Sequence, residues 1–168
     1  MNLTCTMLRR MAGPVVAATA LLGCPLASAT QMTLAPARDL AADAKLAASA
    51  GVPLIVMVSL PGCPHCEVVR RSHLLPLLRD AAAPRRPLIR QVEMNGQGML
   101  RDFSGRATTH AIFASRYHVK IAPVVMFFDA EGELISQPLV GSMIPDFYGA
   151  YFDAAFAEAV SKLPVTRP

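Results

Sequence analysis

The chain has 168 residues, 53% apolar and 17% charged, with a formal net charge of +4. That length suits one domain with a substantial core, and the composition excludes intrinsic disorder. Without Arg9 and Arg10 of an N-terminal segment that contains no acids the charge falls to +2, too little to argue for binding nucleic acid or a membrane surface.

Arg9-Arg10 is a short basic region, and Met11 to Gly23 is an apolar run of small residues, too short to span a bilayer comfortably. Pro25 breaks the run, and Ala27-Ser28-Ala29 is a small-x-small cleavage signal. Residues 1–29 are therefore expected to be a secretory signal peptide, cleaved after Ala29. Leu21-Leu22-Gly23-Cys24 also resembles a bacterial lipoprotein box, so an anchor through Cys24 is the alternative. Either route delivers the domain to the periplasm, where disulfide chemistry is possible. Of the four cysteines, Cys5 and Cys24 fall in this segment, leaving Cys63 and Cys66. Two cysteines so close together enclose almost no loop and add little stability, so this is no disulfide scaffold.

Residues 30–37 read as a linker, and the domain is expected over 38–168. Arg38 to Ala50 is Ala- and Leu-rich, with Asp39 and Asp43 near its start, and reads as a helix stopped by Gly51-Val52-Pro53. Leu54 to Leu60 is a continuous apolar run, the pattern of a central strand covered on both faces. Cys63 to about Leu78 is the next helix, which Pro76 is expected to kink or end. Ala81 to Pro87 is a connector, its arginines a solvated loop, and Leu88 to Met94 a second strand. Asn95 to Arg106, Gly-rich and polar, is expected to be an irregular insertion with a turn at Asp102-Phe103-Ser104-Gly105. Thr108 and Thr109 can cap a helix running to about Tyr117.

Val124 to Phe128 is a strand, Asp129-Ala130-Glu131-Gly132 a hairpin turn, and Glu133 to Val140 its partner strand, ended by Gly141. Pro145 opens a last helix carrying Phe147, Tyr148, Tyr151, Phe152, Phe156 and Val160, whose aromatic side is expected to pack on the sheet. The order α-β-α-β-insertion-α-β-β-α predicts an α/β fold, a mixed central sheet with helices on both faces.

Chemistry concentrates in Cys63-Pro64-His65-Cys66, set between a core strand and a helix. Thiol exchange needs a thiolate attacker, a nearby resolving thiol and room for a mixed disulfide. Unpaired N–H groups and the helix dipole at a helix start favour a negative sulfur, which fits Cys63 as nucleophile. Pro64 suits the first helical turn, where its missing N–H is not needed. Cys66, one turn inside, is the expected resolving thiol. A protonated His65 would stabilise the Cys63 thiolate further. His73, His110 and His118 read as ordinary surface or helix residues.

This order, with Cys-Pro-His-Cys after the first core strand and Pro123 before a later one, resembles the thioredoxin fold from about Arg38 to Leu163. Phe113 to Pro123 is similar to the thioredoxin helix and the loop to its cis-proline, and Phe127 to Leu134 with Gly141 to its terminal hairpin. The longer middle section is more like exported SoxW-type thioredoxins, and the tetrapeptide is the one found in DsbA. The resemblance implies a cis bond at Pro123, beside the dithiol, with Ala122 offering backbone groups to an extended substrate segment. Three positions depart from the family: Gly62 replaces an aromatic residue, Met57 a buried acid, and Ala122 a threonine. Glu67 or a bound water is the candidate to take over the acid's role. The implied activity is thiol–disulfide exchange on protein cysteines, without metal or organic cofactor and without nucleic acid, recycled by a membrane-embedded redox partner. The rival reading is a copper-binding or delivery module in which the same two thiols hold Cu(I) with Met or His.

Overall fold

The computed structural model describes residues 33–79, 86–141 and 145–164, the side chains of 145 and 146 excepted. The expected signal peptide, Cys5, Cys24 and most of the 81–87 connector lie outside the described residues. None of the described helices is long and apolar enough to cross a membrane.

Helix α1 (Leu40–Ser49) starts at Asp39, whose carboxylate accepts the Ala42 N–H at 2.9 Å. Strand β1 (Leu54–Ser59) follows, buried at every position. Helix α2 (Pro64–Val69) continues through a π-helical turn (Arg70–Leu74) into α3 (Leu75–Arg79). Pro76 therefore does not end the helix. A proline lacks the N–H, and its ring crowds the carbonyl four residues back. The π-helical turn, in which the Leu75 N–H donates to the Arg70 carbonyl, lies just ahead of it.

Strand β2 (Leu88–Glu93) runs parallel to β1, and β5 (Val124–Phe128) lies antiparallel on its other side. With β6 (Leu139–Val140) the sheet order is β2-β1-β5-β6, the expected mixed thioredoxin-like sheet. Because strand side chains alternate, β1 and β5 feed two cores. Ile55, Met57, Val125 and Phe127 pack with Cys66, Val69, Leu74, Tyr148 and Phe152. Leu54, Val56, Val58, Val124, Met126 and Phe128 pack with Leu40, Ala44, Ala47, Phe113 and Ala114. The first face is thus covered by α2, α3 and α5 (Pro145–Lys162), the second by α1 and α4 (His110–Arg116).

Several expectations are corrected. The insertion is a β-hairpin: β3 (Met99–Arg101) pairs antiparallel with β4 (Ala107–Thr109) around the Asp102–Gly105 turn. Asp102 holds that turn, its carboxylate accepting the N–H groups of Ser104 and Arg106 at 3.0 and 2.9 Å. Thr109, the last residue of β4, caps α4, accepting from the Ile112 N–H at 3.2 Å, while the Thr108 hydroxyl is buried and takes no part in the cap. Residues 35–37 are not a free linker. The Gln91 N–H donates to Ala35 and the Ala37 N–H to Gln91, so this stretch lies along the outer edge of β2, with Leu34 and Ala37 buried. The return strand after Gly132 is interrupted. Leu134 faces Phe128 but Leu139 faces Val125, so five steps on one strand span three on the other, a two-residue bulge.

On α5 the inward stripe is Tyr148, Phe152, Ala155 and Ala159, with Phe156 beside it. Phe147 and Tyr151, expected to pack on the sheet, are 61% and 57% exposed because they face outward. His110, read as an ordinary surface or helix residue, opens α4 and is buried: its Nδ1 accepts the Glu93 N–H and its Nε2 donates to the Ala37 carbonyl, each at 3.1 Å. It ties the head of α4 to β2 and to the N-terminal stretch. His118 is exposed in the left-handed region (φ 55), at the exit from α4.

Candidate active site

Strand β1 ends at Ser59, and the chain turns through Leu60-Pro61-Gly62-Cys63, with the Cys63 N–H donating to the Leu60 carbonyl at 3.4 Å. Proline second and glycine third, the latter at φ +68, is the type II turn pattern. A Cβ at Gly62 would meet nothing within 4 Å, so the missing aromatic side chain leaves that side of the turn open.

Cys63 is the N-cap of α2 and Pro64 its first residue. Cys63 and Cys66 form a disulfide with Cα atoms 5.3 Å apart. The two sulfurs differ in surroundings. Cys63 is partly exposed, and its Sγ accepts the Cys66 N–H at 3.1 Å. Cys66 is fully buried, packed with Met57, Ile55 and Val69. An accessible sulfur facing a helix N–H is the one a partner thiol can reach, and it is stabilised as a thiolate when released. Pro64 and His65 are both exposed on the first turn.

Glu67 is not directed to the buried sulfur. Its carboxylate pairs with Arg70, and its other oxygen accepts from Arg71 Nε at 2.9 Å. Arg70 in turn donates to Gln91 Oε1 at 3.1 Å. These contacts fix Glu67 on the outer side of the helix, while Met57 offers Cys66 only apolar surface. Ser59 escaped the sequence reading. Its Oγ is buried and has no hydrogen-bond partner among the described residues. The signal was present: one hydroxyl at the end of an otherwise apolar buried strand.

Ala122 and Pro123 precede β5, and their peptide bond is cis. Val58 pairs with Val124, so the start of β5 lies at the same end of the sheet as the exit of β1 toward Cys63. Ala122 and Cys63 pack on the same core cluster. Gly141, at φ 76, donates its N–H to the Pro123 carbonyl at 2.7 Å and closes this end. Around it Ile121 and Val140 stand more than half exposed. Among the described residues no group of three or more His, Cys, Asp or Glu could hold a metal ion.

A partly exposed sulfur and a buried one, joined at a helix start, support thiol–disulfide exchange. Several solved structures are similar to this chain, the first of them agreeing on the fold. A thioredoxin-fold protein from Helicobacter pylori is 17% identical, with a TM-score of 0.50, over 67% of this chain and 73% of its own. Mitochondrial thioredoxin 3 from Saccharomyces cerevisiae is 14% identical, with a TM-score of 0.49, over 74% and 94%. DsbH oxidoreductase is 15% identical, with a TM-score of 0.48, over 90% and 96%. A search of the curated proteins returns no match. Residues 40–156, from the first helix through most of the last, match the family model of the thioredoxin-like domain. With a match over most of its length, the chain belongs to the thioredoxin-like domain family.

Proposed function

We propose that this protein is a periplasmic thiol–disulfide oxidoreductase that exchanges disulfides with cysteine-containing proteins through Cys63 and Cys66. The observation that carries the reading is the asymmetric disulfide: an outer sulfur receiving a helix N–H, an inner one fully buried. In the reducing direction the Cys63 thiolate attacks a substrate disulfide, forming a mixed disulfide and releasing one substrate thiolate. Cys66, as thiolate, then attacks Cys63 Sγ; the mixed disulfide breaks and the second substrate sulfur leaves. Two electrons pass to the substrate and the Cys63–Cys66 bond closes. In the oxidising direction the same steps run backwards.

Pro64 begins the helix that presents Cys63, and His65, exposed beside it, adds positive charge near the thiolate when protonated. Ala122 and Pro123 are the proposed substrate-binding edge, their backbone meeting an extended segment. The exposed Ile121 and Val140 offer apolar contact to such a segment. Export rests on the signal-like residues 1–29, with a lipid anchor at Cys24 as the alternative, and a membrane-embedded partner restores the dithiol state.

Trapping tests the reading. A Cys66→Ser variant should accumulate mixed disulfides with disulfide-bearing proteins through Cys63, one substrate thiolate leaving as each forms, visible on non-reducing gels and reversed by dithiothreitol. A Cys63→Ser variant should accumulate none. Equal trapping by both variants would contradict the assignment. Copper retained one-to-one with no trapping would favour the metal-binding alternative.

A further inference from the structure

We propose that the Ser59 hydroxyl donates a hydrogen bond to the Cys66 sulfur whenever the disulfide is open, and so supports the step in which Cys66 attacks or departs. The proposal rests on the oxidoreductase reading above. Cys66 must carry negative charge in that step, either as attacking thiolate or as leaving group. It does so in apolar surroundings, where a thiolate is disfavoured. Glu67, the nearest acid along the helix, is held by two arginines.

Strand alternation carries the Ser59 side chain to the face it shares with Ile55 and Met57, the face on which Cys66 packs. Ser59 is 1% exposed, and its Oγ has no partner among the described residues in this oxidised state. A buried hydroxyl without a partner is unfavourable, and a thiolate is a strong acceptor. Opening the disulfide therefore gives the hydroxyl a partner and the buried charge a donor together. In the reducing direction the bond holds Cys66 as thiolate until it attacks Cys63 Sγ. In the oxidising direction a substrate thiolate attacks Cys63, and the Cys63–Cys66 bond breaks. Its electron pair then leaves on Cys66 toward the Ser59 donor. Tyr148 is the competing donor, since its buried hydroxyl is also without a partner among the described residues. Its ring, however, lies tilted against His73 at 4.7 Å, seven residues beyond Cys66 on the same helical run.

The test equilibrates purified wild type, Ser59→Ala, Ser59→Thr and Tyr148→Phe in glutathione buffers and counts free thiols by alkylation and mass. Ser59→Ala should favour the disulfide five- to tenfold more than wild type, with Ser59→Thr and Tyr148→Phe within twofold of it. In a Cys63→Ala background, Ser59→Ala should also move alkylation of Cys66 to higher pH, which loss of packing alone would not do. Ser59→Ala within twofold of wild type, Ser59→Thr shifting as far as Ser59→Ala, or Tyr148→Phe producing the shift instead would each overturn the proposal. A wild type that closes no reversible disulfide would instead overturn the oxidoreductase reading itself.

Discussion

The two faces of the central sheet treat their polar groups differently. On the α1/α4 face they are paired across elements. Asp43 on α1 meets Arg90 on β2 in a two-pronged pair at 2.5 and 2.8 Å. Asp102 in the hairpin receives Arg116 of α4 at 2.6 Å, and both nitrogens of His110 are engaged. Phe103 of the hairpin lies on Phe128 at 4.7 Å and against Gly132, where a Cβ would come within 2.2 Å of its ring. Thr108 Oγ1 is the exception, buried without a partner among the described residues. The α2/α5 face has the disulfide, a π-helical turn, and the unpartnered hydroxyls of Ser59 and Tyr148. One face braces the sheet; the other carries the disulfide. Substitutions on the first should therefore alter stability and leave the dithiol equilibrium alone.

The largest expected effect is on the dithiol face. Phe152→Ala removes a ring packed between Phe127 and Phe156, at 5.6 and 6.3 Å, and should lower unfolding stability by about 4 kcal/mol in urea. Phe103→Ala should cost about 3 kcal/mol by loosening the hairpin from Phe128 and Phe113, with the glutathione equilibrium within twofold of wild type. A comparable change in that equilibrium would break the division between the faces.

Asp102→Asn should lose about 2 kcal/mol at neutral pH, since a buried charged acceptor is replaced by a neutral one. Burial alone pushes the Asp102 carboxyl up. The Arg116 hydrogen bond, the Arg106 and Ser104 N–H groups and the Arg106 charge outweigh it and hold the carboxyl below its ordinary range. Its folded value is lower than its unfolded value of about 3.9, so the stabilisation is present above that pH. It is lost as pH falls through the lowered folded value. Acid titration of stability should show this loss in wild type and a smaller one in Asp102→Asn. Smallest is Phe147→Ser, on the exposed side of α5, which should change stability by less than about 0.5 kcal/mol.

The parts legible in the sequence were those with strong periodic or chemical signatures. The apolar runs of β1 and β5 announced buried strands, and Pro-Gly before two cysteines announced a turn into a helix carrying a dithiol. The hairpin was not legible, because three-residue strands amid glycines and charges give no alternation to read. His110 could not be placed, since its burial depends on Glu93 and Ala37, distant in sequence. On α5, Phe147 and Tyr151 lie four residues apart and share one face, as do Tyr148 and Phe152; composition could not say which pair turns inward. Glu67, offered together with a bound water as the stand-in for the missing acid, is held instead by arginines three and four residues on, a helix-surface pairing.

The central claim is a reversible two-electron couple between Cys63 and Cys66. Equilibration of the purified wild-type protein in glutathione buffers, with alkylation and mass readout, tests it most directly. The account predicts one cooperative transition in which both thiols appear together. A potential near about −120 mV would mark an oxidant and one near about −270 mV a reductant. Two thiols that stay free in every buffer, or cysteines that alkylate independently, would contradict it.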